Sequence, residues 1–465
     1  MASKDAPSCI VLGAGLAGLS AAYQLTKWGW TVTVLEATGR SGGRVLSHRF
    51  AKNKTLVCEL GGEWIGNQHP KITALCKEFD LPLITHEFGF CFWNGTDGAR
   101  PRIYEPGASP FSKKAQRSFK RFRREYNKRI ADEGWNRSLD KLDWWTQLKK
   151  LKFTDKELLR RDLMDSTDFG ETTRVTSAYA AAGEYFDSDS TDEMDSKIVG
   201  GNDLLAKKMA KAIVDAGGTV HLKSRVTSVH QRSVASKRAI KNSVRVRVAG
   251  RSTTYRADCC ICALPAPCLN KIRWLPPLPL DKRLAADQLQ YARIVKTAVL
   301  YDRRFWKRWP AAGFSTFTGR VSDFCFDSTY LQKGAQGILC SYAVGDKADD
   351  VAAEPDVNNV KQWLTEDMKH VLRARKPVRA LAIKRHAWQH DKFTGGAYAL
   401  YRPGEWFRIR PALARPFGRV RFAGEHIADW QGFMEGAVVT GQRAARSMAR
   451  SLRASASSSV PRARR

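Results

Sequence analysis

Cys9-Ile10-Val11-Leu12-Gly13-Ala14-Gly15-Leu16-Ala17-Gly18 is the stretch that decides the fold. Its four apolar residues predict a short buried strand, and its glycines a tight turn. Leu19 to Lys27 is rich in Ala and Leu and predicts a helix. Trp30 to Leu35 alternates Thr with Val as a second strand and stops at Glu36. Strand, glycine turn, helix, strand and acid form a complete βαβ unit. Glycines at Gly13, Gly15 and Gly18, with Ala14 between, let a pyrophosphate approach the amino end of the helix, where free N–H groups and partial positive charge bind it. Glu36 is placed to accept hydrogen bonds from ribose hydroxyls, and an acid there argues against a 2′-phosphate. The expected ligand is FAD or NAD.

Around this unit the chain extends to 465 residues, which predicts two or three domains or one large discontinuous fold. Hydrophobic residues make up 43% and charged residues 27%, which excludes wholesale disorder. Mean hydropathy is −0.41 and no run approaches the length of a membrane span, so no membrane partner is expected. The segment Met1 to Pro7 carries no apolar leader pattern. Ten cysteines show no paired ligand spacing, and free thiols in a reducing cytoplasm are the expectation. Cys259-Cys260-Ile261-Cys262 is too tightly spaced for one tetrahedral metal, and His386 with His390 lacks an acidic third ligand, so no metal is expected. The net charge of +32 raises nucleic acid as a partner, but the cations are dispersed and no DNA-binding motif is present. No specific nucleic-acid partner is expected, and homo-oligomerisation is left open.

Along the chain, Ala115, Phe119, Phe122, Tyr126 and Ile130 recur at helical spacing from Ser112 to Ile130, with Lys and Arg on the other face. Helical signals continue to about Tyr185. A helix is predicted at Asp203 to Ala216, then strands at Val220–Leu222, Val226–His230, Val244–Val248, Thr253–Arg256 and Cys259–Leu264. Prolines from Pro265 to Pro279 mark a boundary. A mixed strand region follows to about Leu400, then a buried strand at Val420–Ala423 and a helix from Gly436 to Arg453. Residues 454–465 read as a disordered tail.

Further motifs follow the acid. They are Ala37-Thr38-Gly39-Arg40-Ser41-Gly42-Gly43-Arg44, then Leu60-Gly61-Gly62-Glu63-Trp64-Ile65-Gly66, then Arg421-Phe422-Ala423-Gly424-Glu425-His426, and last Asp429-Trp430-Gln431-Gly432-Phe433-Met434-Glu435-Gly436-Ala437. With these the chain resembles the flavin-containing amine oxidase family, which includes monoamine, polyamine and L-amino acid oxidases. The resemblance runs from about Ser8 to Arg446. It implies an α/β fold: a Rossmann-like FAD-binding domain (1–80, 198–283 and 395–453), a mixed-sheet substrate domain (81–111 and 284–394) and a helical subdomain (112–197).

The resemblance also implies roles. Ala37, Gly43, Arg44, Gly61, Gly62, Gly424 and Gly432 line the flavin and pyrophosphate, Val226 holds the adenine, and Glu425 sits against the ribityl chain. Lys296, in Gln290-Tyr291-Ala292-Arg293-Ile294-Val295-Lys296-Thr297, matches the lysine that holds a water beside the reactive flavin nitrogen. Trp388 and the segment Thr394 to Gly404 match the stretch over the flavin face, where Tyr398 and Phe433 flank the substrate amine. Monoamine oxidases carry a flavin-linked cysteine where this chain has Ala397, so FAD is expected to be non-covalent.

Venom-type L-amino acid oxidases place a carboxylate-binding Arg where this chain has Trp64. Leu142–Trp145, Asp165–Glu171, Tyr342–Asp349 and Gly404–Phe407 nevertheless look like bacterial L-amino acid oxidases. The expectation is an L-amino acid oxidase using oxygen, with its carboxylate partner elsewhere; a primary-amine or polyamine oxidase is the alternative. Glu63 is a candidate for a cationic substrate group, or a structural ion pair.

Overall fold

The computed structural model describes residues 6–86, 88–93, 102–105, 108–186, 195–232, 243–307, 313–317, 321–429 and 432–457. The first unit is β1 (Ser8–Leu12), α1 (Leu16–Lys27) and β2 (Thr31–Leu35), within three residues of expectation at each end. β1 and β2 pair in parallel, and Cys259–Cys262, Val420–Phe422 and Thr219–His221 complete a five-stranded parallel sheet. Helices cover it, so its central strands are apolar on both faces. The three cysteines of Cys259–Cys262 are fully buried free thiols within this sheet. A four-stranded sheet of Thr254–Ala257, Val244–Val248, Val226–Gln231 and Arg273–Leu275 lies next in the chain.

A seven-stranded mixed sheet forms the second body of strands, ordered Ala380–Ala387, Ile294–Tyr301, Gly337–Val344, Phe324–Asp327, Gly313–Phe317, Phe88–Trp93 and Arg102–Tyr104. Every position of Ile294–Tyr301 is buried. Ala298 and Leu300 pack on the hairpin around Phe50, Leu56 and Leu60, while Val299 and Tyr301 pack on the helix Val357–Val371. Period-two alternation puts Lys296 on the hairpin side. The region read as mixed strands to Leu400 also holds two helices, Gly345–Ala353 and Val357–Val371, whose apolar spacing covers this sheet.

Five helices between Lys113 and Phe186 form the helical part. In the first, Lys113–Arg129, Ser112 caps the amino end and Ala115, Phe122 and Tyr126 are buried. The last helix, Met434–Ser457, starts two residues earlier and runs four residues further than expected, so residues 454–457 are helix rather than tail. Residues 458–465 and the motif residues Trp430 and Gln431 lie outside the described residues. This helix lies in backbone contact with α1: a Cβ on Gly441 would come 2.1 Å from the Ala17 carbonyl oxygen.

Candidate functional site

Two glycine turns meet at the carboxyl end of β1. Gly42 N–H donates to Ala14 O at 2.8 Å, and Gly43 lies against Gly15, where a Cβ would sit 3.1 Å from the Gly15 Cα. No side chain caps α1 and its first turn holds no acid, which leaves its amino end available to an anion. Ala14 N–H donates to Glu36 Oε2 at 2.7 Å, and Thr38 N–H and hydroxyl donate to Oε1, each at 2.8 Å. A cavity of about 960 Å³ opens from this point.

Gly13, Gly15, Glu36, Ala37, Gly43, Arg44, Gly61, Gly62 and Val226 line it, as do Trp388, Gly424, Glu425, Gly432 and Phe433. Ala14 and Gly18, grouped with these from the motif, are not on the lining. Gly18 is needed for packing, because a Cβ there would be 2.0 Å from Gly13 O, and Ala14 presents its N–H to Glu36. Glu425 clamps three segments: Oε1 accepts from Ala399 N–H at 3.1 Å and Gly432 N–H at 3.0 Å, and Oε2 pairs with Arg44 at 2.8 Å. Glu435 caps the helix Pro70–Glu78 by accepting from the N–H groups of Lys71 and Ile72.

Tyr398, Phe433, Lys296, Trp64 and Glu63 line the same cavity. Tyr398 packs its ring on Gly432 and donates its hydroxyl to the Asp168 carbonyl. Trp64 packs against His86, Phe88 and Phe326. Trp388 is buried, and its Nε1 donates to Leu60 O at 2.8 Å. His386 lies edge-on to that ring at 4.3 Å.

Glu63 is an ion-pair centre. Lys296 Nζ donates to its Oε2 at 2.6 Å and to Gly61 O at 3.0 Å, and Lys197 Nζ donates to its Oε1 at 3.1 Å. Burial pulls the Glu63 carboxyl up, but Lys296 and then Lys197 overcome this and hold it below its ordinary value. Burial likewise opposes charge on Lys296, and Glu63 more than offsets it, so the ammonium titrates above its usual range. Both oxygens of Glu63 thus face lysines, while the residue also lines the cavity.

The helix Asp155–Phe169 also lines the cavity, with Arg161, Met164, Asp165 and Asp168 at one-face spacing. Arg161 Nε donates to Asp165 Oδ2 at 3.0 Å, and its guanidinium lies 4.7 Å from the Phe119 ring centre and 5.0 Å from that of Tyr185. Its Nη2 is buried with no hydrogen-bond partner among the described residues. Tyr185 donates its hydroxyl to Asp168 at 2.6 Å, and burial pushes the Asp168 carboxyl up to about 7. Of the stretches that resemble bacterial L-amino acid oxidases, Asp165–Glu171 thus sends Asp165 and Asp168 to the cavity, while three other acids gather elsewhere. Arg293 holds Glu171, Asp346 and Asp349 together, away from the cavity lining, so these stretches share a scaffold.

The donor set fits a flavin dinucleotide. An uncapped helix end beside two close-packed glycine turns suits a pyrophosphate, Glu36 suits a ribose, and the cavity continues to the aromatic residues.

Known proteins match nearly all of the chain. An L-amino-acid oxidase of Crotalus adamanteus is 26% identical, over 97% of this chain and 88% of its own length. An L-amino acid dehydrogenase of Synechocystis is 24% identical, over 96% of both. Putrescine oxidase bound to putrescine has the same architecture, with a TM-score of 0.82 at 23% identity, over 96% of this chain and 99% of its own. So does cyclohexylamine oxidase from Brevibacterium oxydans, with a TM-score of 0.81 at 22% identity, over 96% and 100%. Residues 16–449 match the profile described as flavin containing amine oxidoreductase, a span that takes in α1, the second glycine turn and the residues around Lys296 and Tyr398, and the chain belongs to that family.

Proposed function

We propose that the protein is an FAD-dependent L-amino acid oxidase that converts an L-amino acid, water and dioxygen to a 2-oxo acid, ammonia and hydrogen peroxide. The observation that carries this reading is the single cavity joining the glycine turns and Glu36 to Lys296, Tyr398 and Phe433. The L-amino-acid oxidases similar over nearly all of the chain support the choice of substrate.

The residues that would hold FAD are the α1 amino end for the pyrophosphate, Glu36 for ribose, Val226 for adenine, and Arg44, Gly61, Gly62 and Glu425 along the flavin. When bound, FAD supplies the acceptor for a hydride from the carbon that bears the amine. Tyr398 and Phe433 orient that carbon and exclude water. Lys296 supplies positive charge where electrons reach dioxygen. Arg161, on the cavity lining, is the cation the cavity offers to a substrate carboxylate in place of an Arg at Trp64. Ala397 cannot form a thioether, so acid precipitation should release FAD into the supernatant. Flavin left on the pellet would reject non-covalent binding.

The division into FAD-binding, substrate and helical parts belongs to the same proposal, supported by the parallel sheet, the seven-stranded sheet and the five helices. Ten free cysteines support a cytoplasmic setting. No helix among the described residues is long and apolar enough to cross a membrane.

A second reading, a diamine or primary-amine oxidase, is favoured by one observation: Asp165, Asp168 and Glu184 line the cavity and suit a cationic tail. A peroxide-coupled comparison separates the two, using L-phenylalanine against phenethylamine and L-lysine against cadaverine. A site with buried donors for a carboxylate loses about 1–3 kcal/mol for each unmet group, so amino acids should win by about 100-fold in kcat/KM. Equal or faster turnover of the amines would hand the site to the second reading.

A further inference from the structure

We propose that Lys197 is a positioning residue for the reaction with dioxygen: by holding the second oxygen of Glu63, it keeps the buried Lys296–Glu63–Lys197 cluster net positive beside the cavity. The inference rests on the oxidase reading above and deepens it, because the chain's relatives include both oxidases and a dehydrogenase.

The geometry sets the charge count. Lys296 alone, 2.6 Å from a carboxylate, would form a neutral pair whose field falls off steeply with distance. Lys197 adds one unit. Its Nζ sits 3.1 Å from Glu63 and 3.3 Å from Ser328 O, and 4.8 Å from the centre of the Trp64 ring. It arrives on the short strand Ser196–Ile198, which pairs with Leu83–Thr85. Lys197 is not on the lining, whereas Lys296, Glu63 and Trp64 are. It therefore acts through Glu63, behind the tryptophan, rather than on substrate.

The remaining titratable groups do not cancel that charge near pH 6. Glu59, lifted to about 7 by burial, is bound by the Ser47 hydroxyl and the Asn202 N–H and touches neither lysine side chain through its carboxyl. His86 is pushed down to about 3 by burial and stays neutral. Burial raises Cys58, Cys340 and Tyr342, which stay protonated. Reoxidation moves two electrons and two protons onto one dioxygen to give one hydrogen peroxide. The first electron creates an anion, which a fixed positive cluster stabilises.

The test uses the purified holoenzyme at pH 6, with three measurements: anaerobic reduction by substrate, reoxidation by oxygen, and the midpoint potential of the bound flavin. Lys197→Met should slow reoxidation about 10-fold more than reduction and lower the potential, as expected for losing one charge from a buried cluster beside the cavity. Lys197→Arg should restore both. Glu63→Gln should raise the potential and leave reoxidation no slower than in the wild type. The proposal is overturned if Lys197→Met reoxidises with wild-type rate and potential, or if Lys197→Arg is as impaired as Lys197→Met. If Lys197→Met does not fold, Glu63→Gln decides alone, and a lowered potential there refutes the charge count. Reduced wild-type protein that is stable in air would instead reject the oxidase reading, while the order of the three potentials would still judge the cluster.

Discussion

Glu63 sits between two lysines on the sheet side of the cavity, whereas Arg161 sits among acids on the helix side. Both arrangements are buried, and both use aromatic rings to shield the cation: Trp64 over Lys197, and Phe119 with Tyr185 over Arg161. They differ in the sign left over. The sheet wall keeps a surplus of positive charge near Lys296. The helix wall has one arginine for Asp165 and Asp168, and burial lets Asp168 hold its proton up to about 7. Below about pH 7 the helix group is balanced while the sheet group is not, and each can be altered separately.

Removing the charge nearest the reacting atoms should have the largest effect. In Lys296→Met, reoxidation by oxygen is expected to fall about 100-fold, with anaerobic reduction much less affected. Stopped-flow measurement of both half-reactions checks this, and equal slowing would mean that the sheet wall serves substrate rather than oxygen.

The helix wall comes second. Arg161→Met is expected to lower kcat/KM for L-phenylalanine about 30-fold and to leave phenethylamine within about 3-fold, because the missing contact is made only by a carboxylate. Parallel losses on both compounds would reduce Arg161 to a packing partner of Asp165.

Asp168 gives a smaller, pH-dependent effect. Its carboxyl ionises as pH rises through about 7, so a preference for a cationic tail should appear above that pH and fade below it. The KM ratio of L-lysine to L-norleucine should drop about 10-fold from pH 6 to pH 8 in the wild type and stay level in Asp168→Asn. A level wild-type ratio would show that the acid does not meet the substrate tail.

The smallest effect concerns stability alone. Glu59 binds its proton more tightly folded, at about 7, than unfolded, near 4.5. The stability it confers is complete below the unfolded value and is lost as pH rises to the folded one. Glu59→Gln should therefore melt about 3 °C higher than the wild type at pH 8, with no difference at pH 4.5. A gap that is the same at both pH values would mean that the carboxyl is not held protonated.

Much of this was legible before any coordinates. Gly13 to Glu36 stated the first βαβ unit because strand, turn and helix are local patterns, each set by neighbours a few residues away. Lys296, Tyr398 and Phe433, which the fold brings to one cavity, could be singled out because they lie inside motifs. Lys197 could not, since it meets Glu63 from 134 residues away and stands in no motif. The charged face of Arg161, Asp165 and Asp168 did have a signal, their helical spacing, but such a stripe ordinarily faces water. Asp165 to Glu171 and Gly345 to Asp349 were read as pointing to the substrate. Three of their acids gather on Arg293, a pairing that no one-dimensional pattern displays.

The backbone contact between Gly441 and Ala17 has a consequence for how the chain is made. α1 (Leu16–Lys27) leaves the ribosome long before the helix Met434–Ser457 that covers it. At about 5–20 residues per second, α1 spends on the order of tens of seconds with that flank bare. β1 must likewise wait for Cys259–Cys262 before its open edge is paired. During synthesis the glycine turns of this unit thus stay half-covered until Cys259–Cys262 and then Met434–Ser457 have been made.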